Sequence, residues 1–404
     1  MFIKALLALG VACAGVNAQD GEWPFDVTTL TAPDGSVTAK FVSLGATLTE
    51  LWVKDRDGNP RDVVLGYDDN SKLLTDPNHP SFNPIIGRGS RAQRYRAVTP
   101  TVRVHTQWLA PSANTNSGIK NGTFSIPITK DAQPDGPNVY HIPTNGPHTS
   151  LPNALHGGIL GWDRRNWTVI DKSATHVSYL HFDPADEGFP GNVTTIATHT
   201  VHKGGILESK LWANATEKTP IMTTQHVYWN LDAFQNNSSD ILSHHLQVAA
   251  DKVIEIDSNQ VPTGGFINVT GTPLDFTQEQ TINVKWNDTF DLCGPGCQGY
   301  DNCWIFTNAT DRGARTSLWS DVSGIRVDIS SNQPATQVYT SYWLNIPRKA
   351  VHGGPDVNYT QWSAVAIEQQ GYMDAINTPE WNIDQIHEPG KDFFWEVKYE
   401  FSTV

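Results

Sequence analysis

Short runs of alternating apolar and polar residues, separated by turn-forming residues, recur along most of this chain. Residues 37–44 and 48–53 are early examples, and the turn Asp57-Gly58-Asn59-Pro60 follows them. A period of two marks a strand with one buried face. Further runs of this kind lie at 177–182, 194–201, 206–213, 222–231, 245–250, 303–306, 316–319, 325–329, 337–342, 364–369 and 395–401. Because no stretch keeps a helical period beyond two turns, the pattern predicts an all-β sandwich or barrel.

The N-terminus is typical of a secretory signal. Lys4 supplies the positive charge, residues 5–15 are apolar apart from Cys13, and Val16-Asn17-Ala18 places small residues before a cleavage site. The apolar run is shorter than the roughly 20 residues of a membrane-spanning helix. We therefore expect a signal peptide at 1–18, a secreted protein without a membrane partner, and one domain over 19–404, since no linker divides the remainder.

Sequons and cysteines agree with export. Signal removal leaves Cys293, Cys297 and Cys303, and the Gly-Pro-Gly turn between the first two allows them to close a small disulfide. The sequence does not show which of the three cysteines stays free. A zinc site is not expected, because no second Cys/His pair lies at ligand spacing. Ten asparagines precede x-Ser/Thr, which marks them as glycosylation acceptors: Asn121, Asn166, Asn192, Asn214, Asn236, Asn237, Asn268, Asn287, Asn308 and Asn358.

The charge balance limits the class of partner. The chain of 404 residues carries a formal net charge of −14. Nucleic-acid binding depends on Lys and Arg contacts to phosphate, so a polyanionic partner is disfavoured. The composition suits a neutral small molecule.

One stretch combines a histidine with glycines. Residues 155–167 contain His156-Gly157-Gly158 and then Gly161-Trp162-Asp163. Glycine lets the backbone approach a ligand, histidine exchanges protons near neutral pH, and tryptophan offers a flat face on which sugar rings stack. Taken alone, the stretch is better explained as a plain turn with one hydrogen-bonded histidine, unless partner residues are found elsewhere in the chain. The second such motif, His352-Gly353-Gly354, precedes Pro355 and is interpreted as a loop.

Three buried-looking strands and one acidic turn carry further ionisable residues. The segments are 186–191, 224–231 with His226, 299–304 with Asp301, and 365–377 with Glu368. Each residue has an ordinary structural explanation: His226 can bond a carbonyl, Asp301 can cap a turn, and Glu368 can end a strand at the surface. Individually, these segments do not define a site.

Taken in order, these motifs resemble the aldose 1-epimerase (galactose mutarotase) family. The order is Leu-His-Gly-Gly, Glu-Gly-Phe-Pro-Gly, His-x-Tyr-x-Asn-Leu, Gly-Tyr-Asp, Asn-Gln-Pro and a strand with Glu, with Gly-Thr-Pro-Leu-Asp-Phe at 271–276 as a further match. The resemblance covers about residue 28 to the C-terminus. It implies a large antiparallel β-supersandwich, a monosaccharide substrate, a monomer, and no metal or organic cofactor.

The resemblance also implies roles for particular residues. Glu368 is the expected base for the C1 hydroxyl and His226 the expected acid for the ring oxygen, with His156 steadying developing charge. The acid role requires a partly protonated His226, which an ordinary pKa of about 6.5 allows. The expected sugar-contacting residues are Asp301 and Gln333 for hydroxyl groups, and Tyr228 or Trp229 for the ring.

The sequence departs from the family at one run. The family pattern resembles Gly-Arg-x-x-Asn-Arg-Ile-Lys-Asn-Gly, whereas here Gly87-Arg88 begins it, 119–122 ends it, and an atypical insertion at 89–115 divides it. The family's sugar-binding arginine falls on Gly118. Either Arg88, Arg91 or Arg94 replaces it, or the site is weakened. The insertion is expected to form an extended loop near the pocket mouth. The alternative is that it is a retained intron, and a cDNA that includes the segment would exclude this.

Four functions remain open from the sequence. The first is an epimerase that interconverts the anomers of free galactose or glucose, and the second is a non-catalytic sugar-binding protein on the same fold. An epimerase for phosphorylated hexoses would need an arginine cluster. A lyase or hydrolase would use Glu368 as general acid with a second carboxylate nearby.

Overall fold

The computed structural model describes residues 23–88, 119–130, 132–145, 153–235, 238–258, 260–308, 311 and 313–404. The predicted signal peptide and the insertion at 89–115 lie outside these residues, as do Arg91, Arg94 and Gly118.

The described part of the chain consists mainly of strands. The first ten are β1 (Thr28–Thr31), β2 (Val37–Val42), β3 (Thr47–Lys54), β4 (Pro60–Asp62), β5 (Ile85–Gly87), β6 (Ile119–Lys120), β7 (Thr123–Ser125), β8 (Val139–His141), β9 (Asn153–Ala154) and β10 (Thr168–Lys172). The next ten are β11 (His176–Asp183), β12 (Val193–His202), β13 (Ile206–Ala215), β14 (Thr219–Pro220), β15 (Thr223–Gln225), β16 (Tyr228–Trp229), β17 (His245–Val248), β18 (Ala250–Ile256), β19 (Pro262–Asn268) and β20 (Gln280–Thr281). The last nine are β21 (Asp301–Phe306), β22 (Thr316–Trp319), β23 (Ile325–Ser331), β24 (Ala335–Tyr339), β25 (Ile346–Pro347), β26 (Asn358–Tyr359), β27 (Val365–Gln370), β28 (Ile386–His387) and β29 (Phe393–Thr403).

Helices are short within the described residues. One α-helix, α1, spans Lys72–Thr75. The 3₁₀ turns are Trp162–Arg164, Trp286–Asp288, Ala350–His352, Ala375–Asn377 and Pro379–Trp381. The all-β class predicted from the period-two pattern is confirmed. No helix in the described ranges is long and apolar enough to cross a bilayer.

Two large antiparallel sheets form the framework. The nine-stranded sheet has the order β10-β11-β12-β13-β29-β23-β22-β17-β20, and the six-stranded sheet has the order β16-β27-β24-β21-β18-β19. A four-stranded sheet, β1-β2-β3-β4, and five two-stranded pairs complete the described part. The strands in the described sheets pair antiparallel, as a supersandwich requires.

Alternation along the six-stranded sheet separates a core face from a polar face. Trp229 packs on Tyr399 and Phe401 of the nine-stranded sheet, with ring centroids 5.1 and 5.9 Å apart. Val365 and Ile367 join the same buried cluster. Because neighbouring residues on a strand point to opposite faces, the residues between them face away from this core. That opposite face carries the candidate site.

The second His-Gly-Gly motif and the cysteines have structural positions. His352 is buried between the hydroxyl of Tyr359, 2.6 Å from Nδ1, and the carbonyl of Asp62, 2.8 Å from Nε2, so its interpretation as a structural loop is confirmed. Cys293 and Cys297 form a disulfide with a Cα–Cα distance of 5.4 Å. Cys303 is the cysteine left free and buried among the described residues.

Buried histidines make stability depend on pH. His199 stacks on Phe41 with ring centroids 4.2 Å apart, and its Nδ1 lies 2.8 Å from Ser209 Oγ. Burial lowers the pKa of His199 to about 3. Below pH 6.5 the unfolded chain therefore binds a proton that the folded chain refuses, and the free energy of unfolding falls as pH falls towards 3.

We expect His199→Gln to flatten this pH dependence. Each histidine of this kind lowers the free energy of unfolding by up to about 1.4 kcal/mol for each pH unit below its unfolded pKa, and the variant lacks one such loss. Urea unfolding at pH 6.5 and 4.5 measures the difference. The exposed His202 provides the control in His202→Gln. Equal slopes in the wild type and His199→Gln would contradict a neutral, buried His199.

Candidate active site

His226 lies where the polar face of the six-stranded sheet begins. It follows β15 and precedes β16, and its backbone is held on both sides: its N–H donates to the Pro84 carbonyl at 3.0 Å, and its carbonyl accepts from the Asn83 N–H at 3.0 Å. Asn83 also accepts the Tyr228 N–H through Oδ1 at 2.9 Å. These bonds fix the short segment that carries the imidazole, so Asn83 is a positioning residue that sequence reasoning missed.

Glu368 meets His226 on this face. Both side chains are fully buried, and Glu368 Oε1 lies 3.5 Å from His226 Nε2. Glu368 stands in β27, whose residue Ala366 pairs with Tyr228 of β16. The expectation that Glu368 could be an exposed strand end is therefore wrong. A buried carboxylate next to an imidazole is a pair whose protonation states depend on each other.

Asp301 and an unpredicted glutamine extend the row. Gln337 of β24 pairs in register with Glu368, and its Nε2 donates to Asp301 Oδ1 at 2.9 Å. The four side chains of His226, Glu368, Gln337 and Asp301 thus follow one another across adjacent strands. We call them the polar row. Gln337 stands in the fully buried strand β24, and no local sequence pattern distinguishes its amide from that of an exposed strand residue.

His156 approaches the row from a separate turn. Its ring centroid lies 5.4 Å from that of His226, and its Nδ1 lies 3.4 Å from Ser81 Oγ. His156 has a φ of 52°, and Gly158 has a φ of 111°. A Cβ on Gly158 would lie 2.8 Å from Glu187 Oε2, so the glycine allows the acidic turn to pack against this one. The two motifs are brought together by this close backbone approach.

Burial controls the charge of the two histidines. Burial lowers the pKa of His156 to about 4, and Asp163 partly opposes this. Burial, and then the neighbouring His156, lowers the pKa of His226 well below 6.5. The expectation that His226 keeps an ordinary pKa is therefore wrong, because burial favours the neutral ring in the free protein. Asp163 is the nearby group whose negative charge opposes this lowering of the His226 pKa.

Several buried polar atoms in this region have no hydrogen-bond partner within the described ranges. They include His156 Nε2, Gln337 Oε1 and both amide atoms of Gln225. Buried polar groups are normally satisfied by protein, water or ligand. A polyhydroxylated molecule supplies both donors and acceptors and matches this set. Among the described residues, no group of three His, Cys, Asp or Glu side chains has a geometry suited to a metal ion.

The predicted aromatic contacts divide between the two faces. Tyr228 lies beside His226, with ring centroids 4.9 Å apart. Trp229 faces the core, as shown by its packing on Tyr399, and is not available to a sugar ring. Trp162 is also fully buried, with Nε1 donating to Asp183 Oδ2 at 3.0 Å, so the expectation that its face stacks on a ring is wrong.

Arg88 is directed towards the acidic turn. Its guanidinium donates to the carbonyls of Pro190 and Gly191 and lies 3.5 Å from Asp183 Oδ2. Burial lowers its pKa to about 10, opposed by Asp183. Arg88 also lines a cavity together with Gly157, the residue next to His156. Its described hydrogen bonds support the turn at 186–191 and make no contact with the polar row.

Gln333 lies apart from the other predicted residues. It occupies the connection between β23 and β24, where its Nε2 donates to Asn332 Oδ1 at 2.8 Å. It precedes Gln337 by four residues, a separation of about 13 Å along an extended chain. The structure therefore brings His156, His226, Tyr228, Asp301 and Glu368 together, but not Gln333 or Arg88.

We expect Gln337→Leu to weaken the site and Gln333→Leu to leave it nearly intact. The first change removes the amide that orients Asp301 and leaves that buried acceptor without this donor, a loss of about 1–3 kcal/mol, or roughly 10- to 100-fold in kcat/KM for a sugar substrate. Separate kcat and KM values from initial rates check this. If Gln333→Leu is the damaging change and Gln337→Leu is silent, the sugar contact belongs to Gln333.

The comparisons with known proteins agree with this fold. A β-supersandwich with polar groups on one sheet face is the class of carbohydrate-active fold to which galactose mutarotases belong. The profile of the aldose 1-epimerase family matches residues 119–400. The chain therefore belongs to the aldose 1-epimerase family, whose members are isomerases.

Individual relatives cover nearly the whole chain. A probable aldose 1-epimerase of Arthroderma benhamiae is 31% identical over 408 residues, covering 91% of this chain and 83% of its own length. The galactose mutarotase of Mus musculus is 26% identical, covering 91% and 92%. The crystal structure of an aldose epimerase homologue from C. elegans superimposes with a TM-score of 0.74 at 26% identity, covering 94% of this chain and 99% of that one. The predicted family and the supersandwich fold are confirmed.

Proposed function

We propose that this protein interconverts the α and β anomers of free hexoses, with galactose and glucose as the substrates to test first. The observation that carries the proposal is the polar row, in which a carboxylate and an imidazole 3.5 Å apart continue into Gln337 and Asp301. An acid and a base side by side suit a reaction that takes one proton from a hydroxyl and gives one to an ether oxygen. The relatives' names support this choice of reaction.

The proposed reaction opens and recloses the sugar ring. Glu368 accepts the proton of the C1 hydroxyl as the bond between C1 and the ring oxygen breaks, and His226 gives a proton to that oxygen. The C1–O bond becomes the carbonyl of the open chain. After rotation about C1–C2, Glu368 returns its proton to the new C1 hydroxyl, His226 recovers its own, and the ring closes on the opposite face. No proton is gained or lost overall.

The other residues of the site orient the sugar in this proposal. His156 offers a buried Nε2 towards the oxygens that gain charge, and Tyr228 packs against the ring. The Asp301 carboxylate accepts hydrogen bonds from hydroxyl groups of the sugar, and the Gln337 amide donates hydrogen bonds to them. Because burial lowers the pKa of His226 in the free protein, the proposed imidazolium form requires support from Glu368, and kcat/KM reports the pKa of the pair.

Polarimetry tests the reaction directly. Fresh α-D-glucose and α-D-galactose change rotation slowly in water, and catalytic amounts of the protein should accelerate this change while leaving the final rotation unaltered. Saturable sugar binding without acceleration would reject the enzyme and support a non-catalytic sugar-binding protein. The divided arginine run is the observation that favours that second function.

We also propose that the protein is exported and glycosylated and acts as a monomer. The basic and apolar N-terminus, the ten sequons and the disulfide between Cys293 and Cys297 support export. N-terminal sequencing of protein recovered from the medium of a secreting host should begin at Gln19. A start at Met1, or retention of the protein inside the cells, would reject export.

A further inference from the structure

An apolar row crosses the solvent side of the nine-stranded sheet. Leu180, Ile196, Trp212 and Phe394 stand opposite one another in register on β11, β12, β13 and β29. Neighbouring strands lie about 4.8 Å apart, so the row spans roughly 14 Å. Phe182, two residues from Leu180 on the same face, adds a fifth apolar side chain. We call these five residues the outer apolar row.

This row differs from the rest of the same sheet face. Phe182 is 55% exposed and Phe394 is 56% exposed. Further along the sheet the outward residues form ion pairs, such as Lys210 with Glu208 and Lys398 with Glu400. Half-buried Leu180, Ile196 and Trp212 connect these two phenylalanines, and a continuous apolar strip on a sheet's outer face normally marks a surface that something covers.

A sequon asparagine is built into the edge of this strip. Asn214 pairs with Thr194, and Thr194 pairs with Phe182, so these three residues form the row beside the one that contains Trp212. Asn214 is two residues from Trp212 on β13 and therefore lies on the same face of the sheet. Asp392 binds both residues: Oδ2 accepts the Trp212 indole N–H at 2.9 Å, and Oδ1 accepts from Asn214 Nδ2 at 2.6 Å. The carboxylate holds the indole and the amide side by side.

We propose that an N-linked glycan on Asn214 lies across the outer apolar row. The glycan is anchored beside Trp212, where the C–H-bearing faces of its first sugars can pack on Trp212, Phe182 and Phe394. A substituted amide keeps one N–H, so the bond from Asn214 to Asp392 survives modification. A bulky hydrophilic chain attached beside the strip also prevents a second copy of the protein from covering it. The proposal rests on the proposed export of the protein.

Asn268 provides a matched reference sequon. It is exposed at the end of β19, the edge strand of the other large sheet. A glycan there is attached to the other large sheet, beside Phe266 and Ile267 at 37% exposure each, and not to the outer apolar row. Comparing Asn214 with Asn268 separates the effect of carrying a glycan from the effect of carrying it at this place.

The experiment uses full-length protein secreted from a eukaryotic host. Glycopeptide mass spectrometry should find Asn214 occupied. Asn214→Gln and Thr216→Ala both remove this sequon, and each should raise the fluorescence of a hydrophobic dye by roughly twofold or more, because the strip becomes exposed. Asn268→Gln should leave dye binding unchanged. Endoglycosidase treatment of the folded wild-type protein should reproduce the increase, which excludes a folding defect in the variants.

A further variant assigns the dye signal to the row. Phe394→Thr in the Asn214→Gln background should bring the fluorescence back towards the wild-type value. The proposal is overturned if Asn268 is glycosylated but Asn214 is not, or if loss of the Asn214 glycan leaves dye binding unchanged. It is also overturned if the glycosylated protein elutes from size-exclusion chromatography as a dimer that Phe394→Thr dissociates. Absence of glycan at every sequon of a secreted preparation overturns it as well. None of these outcomes depends on catalytic activity.

Discussion

Glu368→Gln should lose about 10²- to 10⁴-fold of the mutarotation rate, the usual contribution of a positioned acid or base. The amide has the shape of the carboxylate but cannot accept the C1 proton. It also removes the negative charge that favours protonated His226 across 3.5 Å. Both steps of the proposed proton exchange therefore fail together, and kcat should fall much more than KM rises.

The design of this test separates chemistry from folding. Glu368 is fully buried, but burial lowers the pKa of its neighbour His226, so Glu368→Gln does not leave a buried cation unpaired as the loss of one partner of a buried ion pair would. Thermal unfolding should therefore show a midpoint at least as high as that of the wild type. Glu396→Gln, an exposed glutamate on β29, is the matched control and should keep the full rate. A Glu368→Gln protein that retains the wild-type rate would assign the base role to another group.

His226→Asn should act through the same pair, which makes the two substitutions non-additive. If Glu368 and His226 exchange protons with one sugar in one step, the double variant should be little worse than the single variants. Independent contributions would instead multiply. Polarimetry on the single and double variants distinguishes a coupled acid–base pair from two unrelated binding residues.

Local patterns in the sequence predicted the fold because each strand carries its own signal. Residues 206–213 alternate apolar and polar side chains, and the structure extends this strand to Ile206–Ala215 with inward-facing Leu207, Leu211 and Ala213. The same alternation of apolar and polar residues holds for most of the nine-stranded sheet, which has one buried face and one solvent-exposed face. Within this sheet the bounds differ by at most two residues, whereas the predicted run 222–231 is divided at His226 into β15 and β16.

The site was only partly predictable because its residues meet through strand register, which no single segment encodes. His226, Glu368 and Asp301 were identified from motifs, but Gln337 depends on knowing that β24 lies between β27 and β21. Gln333 was chosen from the Asn-Gln-Pro turn, but the strand register places Gln337, four residues later, in the polar row. The charge state of His226 was also misjudged, because burial cannot be read from its neighbours in the sequence.

Some structural groups looked no different from catalytic ones in the sequence. Lys349 is a charged residue in a loop, yet its Nζ is buried and donates to Asp62 Oδ2 at 2.7 Å and to the carbonyls of Thr49 and Val64 at 2.6 and 3.0 Å. All three ammonium protons therefore have acceptors. Burial raises the pKa of Asp62, and Lys349 opposes that rise. This ion pair ties the four-stranded sheet to the loop that precedes β26.

Lys349→Met should cost about 3–5 kcal/mol of unfolding free energy, because it leaves the Asp62 carboxylate buried without its counter-charge. Asp62→Asn should cost a similar amount by leaving the ammonium unpaired. The double variant buries neither charge, so its loss should be well below the sum of the two single losses. Denaturant unfolding of the four proteins gives this coupling energy. Lys40→Met, at the partly exposed pair with Glu50, is the control and should cost less than about 1 kcal/mol.

The same substitutions should also weaken the positioning of His226 in the active site, through backbone hydrogen bonds. Val64 forms a bridge with Trp229, and the Leu65 N–H donates to the Tyr228 carbonyl at 3.1 Å, so the segment next to the Lys349 pair is bonded to the strand that follows His226. Loosening this segment should make mutarotation activity of Lys349→Met fall at a lower temperature than global unfolding, whereas Lys40→Met should lose activity and structure together. If activity and unfolding coincide in Lys349→Met, the buried pair stabilises the fold as a whole and does not position His226.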